Sequence, residues 1–268
     1  MRAPVFGVVA AVTVVLVAAL GLSAATDEHL TGPAPTAPRT SPVSTVPVVS
    51  TPCQMGGPTG PVFLTVDQAK ELTTAAAAVV RGRIPRARFA ATVAVRLAAP
   101  AAVADSVTAT LLGSGNTERL SCHVFRDAVP VEPEGRSGLT ARAERVRRAW
   151  RARFGRLPDG GYAPGGITTG HVDNSSHYDG RAIDVFFRPV GNAAQTRRGW
   201  VFAQWVAAHA DDYDVLSVIY SDHIWTSWAS TAGWRDYVHP SGNRTNPILR
   251  HLDHVHVAVE SGRMTLGR

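Results

Sequence analysis

An α+β fold, with helices set against an antiparallel sheet, is predicted for this 268-residue chain by three observations. Helical patterns cluster ahead of and between short apolar runs. Val185-Phe186-Phe187, Val215 to Tyr220 and Val255 to Val259 are rich in β-branched or aromatic residues and too short for helices. Ile224-Trp225 follows the second run closely enough to be its hairpin partner, which makes that pair antiparallel.

The chain divides into four parts. Residues 1–25 form an export segment: Arg2 supplies the positive end, Val5 to Leu22 is almost unbroken apolar sequence, and Ser23-Ala24-Ala25 offers small residues for cleavage. The apolar run is also long enough for a membrane anchor, so a signal peptide and an anchor both stand. No cysteine is nearby, which excludes a lipoprotein anchor. Either way the remainder is exported, to the wall or to the outer face of the membrane. Residues 26–60 are rich in Pro, Thr and Ser without hydrophobic periodicity and read as a disordered linker.

Residues 61–130 are predicted to form a small helical segment. Thr65 and Gln68 make a capping-box pattern before an Ala-rich helix that reaches Val80, with Gly82 ending it. A second helix runs from after Pro85 to about Ala99. Val103 to Phe125 is ambiguous: Val107–Leu112 and Leu120–Phe125 could be paired strands around the turn-prone Gly113 to Asn116. Residues 131–268 form the main domain. Leu139, Ala143, Val146, Trp150 and Phe154 fall at helical spacing, and Arg142, Arg145, Arg147, Arg148 and Arg151 are placed on a solvated face. Gly155 closes that helix, and Ile167-Thr168-Thr169 is expected to be a short strand. Gln195 to Ala210 reads as an amphipathic helix, and Ser227 to Asn246 as a long polar and aromatic loop of the kind that carries function.

Composition narrows the partners. The net charge is +6 and Lys70 is the only lysine. A basic exported protein is attracted to anionic cell-wall surfaces; no nucleic-acid motif accompanies the charge, so no nucleic acid is expected. Contact with a membrane is expected only through the N-terminal segment. The two cysteines, Cys53 and Cys122, are expected to form a disulfide, two independent buried thiols being the alternative.

The chemistry concentrates in two stretches. His177 and Asp184 lie seven residues apart with Gly180 between them, and Asp184 opens an apolar strand. His254 and His256 alternate with Val255 and Val257, so both imidazoles face one side of a strand. Two imidazoles and a carboxylate brought together from distant segments make a three-ligand zinc site with one position open. Such an ion lowers the pKa of a water toward 7 and polarises a carbonyl, while a neighbouring carboxylate or imidazole carries the proton.

His177-x-x-Gly180-x-Ala182-x-Asp184 followed by Asp253-x-x-His256, with Ser176 before the first histidine, resembles a superfamily of zinc peptidases. It contains D-Ala-D-Ala carboxypeptidases, L-Ala-D-Glu peptidases, lysostaphin-type enzymes and the hedgehog signalling domain. The resemblance covers about Leu139 to Val259 and looks strongest to an exported actinobacterial branch marked by Gly233 to Tyr237 and the closing histidine run. It implies a hedgehog/D-Ala-D-Ala peptidase-like domain holding one Zn2+ through His177, Asp184 and His256. The family's general base stands where Asp253 stands here, whereas lysostaphin-like members use the position of His254; both remain catalytic candidates. Family members also carry a substrate-binding arginine in a G-Y-R segment. Here Gly170-His171-Val172 replaces it, leaving Arg181, His171 and Ser176 as substrate-binding candidates.

The expected function is therefore an exported zinc metallopeptidase, a peptidoglycan hydrolase acting on stem or cross-bridge peptides as carboxypeptidase or endopeptidase. The alternative is a non-catalytic zinc-containing module that binds the cell wall.

Overall fold

The computed structural model describes residues 52–115, 118–125 and 128–262. The expected export segment and the linker up to residue 51 lie outside them. Residues 52–60, which the sequence assigns to the linker, include strand β1 (Cys53–Gly56); it pairs with β2 (Pro61–Leu64) and with β3 (Ser121–Cys122), all antiparallel. Cys53 and Cys122 face each other across β1 and β3 and are joined by a disulfide.

Helix α1 (Val66–Val80) begins at the predicted capping box. The Thr65 hydroxyl accepts from the Gln68 amide, and the Gln68 side chain accepts from the Thr65 amide. Helix α2 is Arg86–Leu97, and Glu71 of α1 is engaged by Arg96 of α2 in an exposed ion pair. The strand expected at Val107–Leu112 is instead part of helix α3 (Ala101–Leu111). Pro100 starts it, and Ala104, Val107, Thr108 and Leu111 bury one helical face, so packing overrides the β-branched composition. Of the partner expected at Leu120–Phe125, only the two residues of β3 are strand.

The second half is built on a six-stranded antiparallel sheet in the order β4-β5-β9-β6-β7-β8. Its strands are β4 (Asp159–Gly160), β5 (Ala182–Phe186), β6 (Val215–Tyr220), β7 (His223–Thr226), β8 (Arg235–Asp236) and β9 (His254–Val259). Helix α4 spans Ala141–Phe154 and α5 Ala193–Ala208. The coarse class is thus α+β, as the sequence predicts. Ile167-Thr168-Thr169 is irregular chain, because β4 already occupies the edge beside β5. Part of the long loop is ordered as a 3-10 turn, Ser227–Ala232, before β8.

Helix α5 packs against α1, α3, β6 and β9 and is buried continuously from Gly199 to Ala208, more than one amphipathic stripe would require. A side chain at Gly199 would collide with the Tyr220 ring. Its buried Gln204 bonds to Leu120, Thr110 and Trp200 backbone groups. Residues from both halves therefore share one hydrophobic core, with Trp150, Phe154 and Phe187 all set against Phe202.

The basic face of α4 also departs from expectation. Arg142 is buried and bonds Asp214, the Glu260 carbonyl and the Pro130 carbonyl. Arg147 and Arg151 clamp Asp159 of β4, which also accepts from the Tyr162 hydroxyl. A sequence read by helical period places them opposite the apolar stripe, but carboxylates from distant segments fold over them.

Candidate functional site

Strands β5 and β9 are registered so that Asp184 lies opposite His256 and Phe186 opposite His254. Alternation then separates two faces. Ile183, Val185, Val255 and Val257 enter the core, while Asp184, His254 and His256 converge on the other side. His177 arrives from the irregular chain ahead of β5. Its Nε2 lies 3.0 Å from His256 Nδ1 and 3.2 Å from Asp184 Oδ1, and His256 Nδ1 lies 3.2 Å from the same oxygen. Tetrahedral zinc with bonds of ~2.0–2.1 Å separates its donors by about 3.3 Å, so these three atoms are spaced as such an ion needs.

The backbone fixes the direction of one donor. His177 Nδ1–H donates to the Gly161 carbonyl at 2.8 Å, which leaves the Nε2 lone pair facing the cluster. Gly161 has φ +81°, and a Cβ there would stand 2.5 Å from His177 Cε1 and 2.6 Å from Nδ1. Only glycine allows both the turn and the close approach.

A further donor was named from sequence for another role. His171 stacks on His177 with ring centres 3.9 Å apart, and one ligand atom each from His171, His177 and Asp184 lies within 4.8 Å of the others. These three buried or half-buried groups offer donor atoms for a metal ion. The His171 backbone is held at both ends by the Tyr178 hydroxyl, which accepts from its amide and donates to its carbonyl.

Electrostatics prepare the cluster for a cation. Burial pushes the Asp184 carboxyl up, but the adjoining His177 and His256 rings outweigh it and hold it well below the usual carboxylate range. Burial and the neighbouring His177 push His171 down, and burial lowers His256 as well. Burial, reinforced by His256 and His254, pushes His251 down to about 2. An ionised Asp184, with His171, His251 and His256 biased toward the neutral form, leaves the cluster short of positive charge.

The two candidates for proton transfer are placed differently. Asp253 Oδ1 faces His254 Nδ1 at 2.7 Å, and its Oδ2 accepts from Arg188 Nε at 2.9 Å. His254 Nε2 points toward the cluster, 3.7 Å from Asp184 Oδ1. Asp253 thus touches the metal-facing groups only through His254.

The cluster opens into a cleft of about 290 Å³. Ser176 and His171 line it; Arg181 does not, being turned to Asp179 and the Val259 carbonyl. Its side chain is engaged by its own turn and by β9. His251, Tyr237 and His239 also line the cleft. Tyr237 and His239 belong to the loop that the sequence marks as functional, and His251 opens the closing histidine run, but spacing alone gives none of the three a role. A larger groove, lined by Phe125, Trp228 and Glu260 among others, lies elsewhere and contains none of these histidines.

Fold and site together define an α+β domain with a histidine–carboxylate cluster able to take a metal ion at the floor of a cleft. The family model described as VldE, C-terminal domain matches residues 135–248, less than half of the chain. The match includes His171, His177 and Asp184 and stops before His254 and His256. No curated protein and no solved structure matches the chain.

Proposed function

We propose that this chain is an exported zinc-dependent metallopeptidase that hydrolyses peptide bonds in peptidoglycan, on a hedgehog/D-Ala-D-Ala peptidase-like domain. The observation that carries the reading is the triangle of His177 Nε2, Asp184 Oδ1 and His256 Nδ1, with edges of 3.0–3.2 Å, beside a histidine–aspartate pair. Two imidazoles and one carboxylate suit zinc, and a catalytic site keeps a position open. A zinc ion held there supplies Lewis acidity to a peptide carbonyl and acidifies a water.

The remaining work falls to side chains. His254 takes the proton of the attacking water at Nε2 and returns it to the leaving amine. Asp253 holds the Nδ1–H of His254, as an orienting carboxylate does in hydrolytic triads. His171 and Ser176 flank the place where the scissile bond lies. The basic sequence and the expected export segment support delivery to an anionic wall.

The test is metal analysis joined to mass spectrometry of a muropeptide digest. One zinc per chain and new amino termini are expected, with His177→Ala abolishing both. Equal hydrolysis by the variant sinks the reading. One observation favours a second reading, a zinc-containing wall-binding module: no arginine lines the cleft to seat a substrate carboxylate. Stoichiometric zinc and tight muropeptide binding without turnover would support it instead.

A further inference from the structure

Arg188 lies outside every motif of the sequence and outside the cleft lining, yet it is attached to the proton-carrying pair. Its Nε donates to Asp253 Oδ2 at 2.9 Å, and its Nη2 lies 2.8 Å from the same oxygen. Its guanidinium lies 4.1 Å over the Phe186 ring, and that ring in turn abuts His254. The Arg188 side chain is 57% exposed and that of Asp253 only 5% exposed. An ordinary surface ion pair has two solvated ends and contributes little. Here one end is inside, and its other oxygen is already committed to His254 Nδ1.

We infer that Arg188 is a positioning residue: by holding Asp253 Oδ2, it aims Oδ1 at His254 Nδ1 and so fixes the tautomer that leaves Nε2 free to accept a proton.

The argument is geometric. A carboxylate held at one oxygen only can rotate about its Cβ–Cγ bond. With Oδ2 held by the guanidinium and Oδ1 by His254, a single orientation is left. A neutral imidazole whose Nδ1–H is held by a carboxylate carries its lone pair on Nε2. Without the guanidinium, Asp253 is free to turn outward, and His254 is free to place its proton on Nε2, where it cannot act as a base. Phe186 supplies the platform beneath the guanidinium.

The inference rests on His254 being the proton carrier, and its test separates the two claims. Long-range proton–nitrogen correlation spectra of the metal-free full chain report the tautomer of each imidazole, with His254 assigned by the signal lost in His254→Gln. The native chain is expected to show His254 protonated at Nδ1. Arg188→Met, which keeps an unbranched stem over Phe186 but removes the fork, is expected to show a mixture or the Nε2–H form. Arg188→Lys is expected to restore most of the native signature, and Arg188→Gln, which also lacks the fork, is expected to behave like the methionine variant and decides should that variant not fold. With muropeptides, Arg188→Met should lose roughly 10–100-fold in kcat, with KM and zinc content near native. A native His254 signature in Arg188→Met or, should that not fold, in Arg188→Gln overturns the inference, as does an Nε2–H tautomer in the native chain. Absence of hydrolysis by the native chain removes the peptidase reading and leaves the tautomer comparison decisive for Arg188.

Discussion

A methyl group at position 161 would sit inside the His177 ring's contact radius, in a backbone conformation of φ +81° that L side chains rarely adopt. Gly161→Ala is therefore expected to push the imidazole out of line or break its bond to the carbonyl. Metal affinity should fall roughly 10–100-fold, the usual cost of disturbing a group that orients a ligand. Competition with a chelating dye measures this, and unchanged affinity would show that the carbonyl does not orient His177. At this scale the sequence was partly legible. The spacing of His177 and Asp184 and the alternation of His254 and His256 identify the polar cluster before any coordinates. Gly161, sixteen residues before His177, was not legible, because its role is a contact formed by a turn.

Elements show why charge patterns mislead. The arginines of α4 look like a solvated face, yet Arg147 and Arg151 fasten Asp159 of β4, the strand that leads directly into Gly161. Burial pushes the Asp159 carboxyl up, but hydrogen bonds from Arg147 and Tyr162 and the nearby arginine charges hold it below its ordinary value. A depressed folded pKa stabilises the native state above the unfolded value, about 3.9, and that stabilisation is lost as pH falls through the folded value. Asp159→Asn should therefore lower the melting temperature at pH 7, by an amount that shrinks as pH falls below about 3.9. A loss independent of pH would mean that the ion pairs contribute nothing and the side chain acts by packing alone. Helix α1 was legible from Thr65 and Gln68 because a capping box is complete within four residues. Helix α3 was not: its β-branched residues suit either state, and the apolar surface waiting for them decides.

Across the whole molecule, the disulfide joins β1 to β3 with a sequence separation of 69. Closing a loop of that length stabilises by about 4 kcal/mol in the chain-entropy model. Reduction, or Cys122→Ser, is expected to lower the melting temperature by several degrees, measured by calorimetry with and without reductant. No change would mean that the neighbouring bonds suffice to hold this strip. Those bonds run from Trp225 Nε1 to the Ser121 hydroxyl and from Trp234 Nε1 to the Leu120 carbonyl. They tie the expected helical segment to β7 and to the loop after it, which the sequence divided into separate parts. Among the described residues no helix is long and apolar enough to cross a membrane.

The sequence by itself determined the features set by short-range physics. These are the α+β class, the start of α1, the β6–β7 hairpin, the pairing of the two cysteines and the identity of the polar residues that gather beside β5 and β9. Each depends on periodicity, capping or the absence of another partner. Only the tertiary structure decided which way those side chains face. It stacks His171 on His177, turns Arg181 away from the cleft, and points Asp253 at His254 and Arg188 rather than at the cluster. A linear spacing constrains how far apart two residues can be along a strand. The orientation of a carboxylate depends on donors that other strands and loops bring to it, and those meet only once the chain has folded.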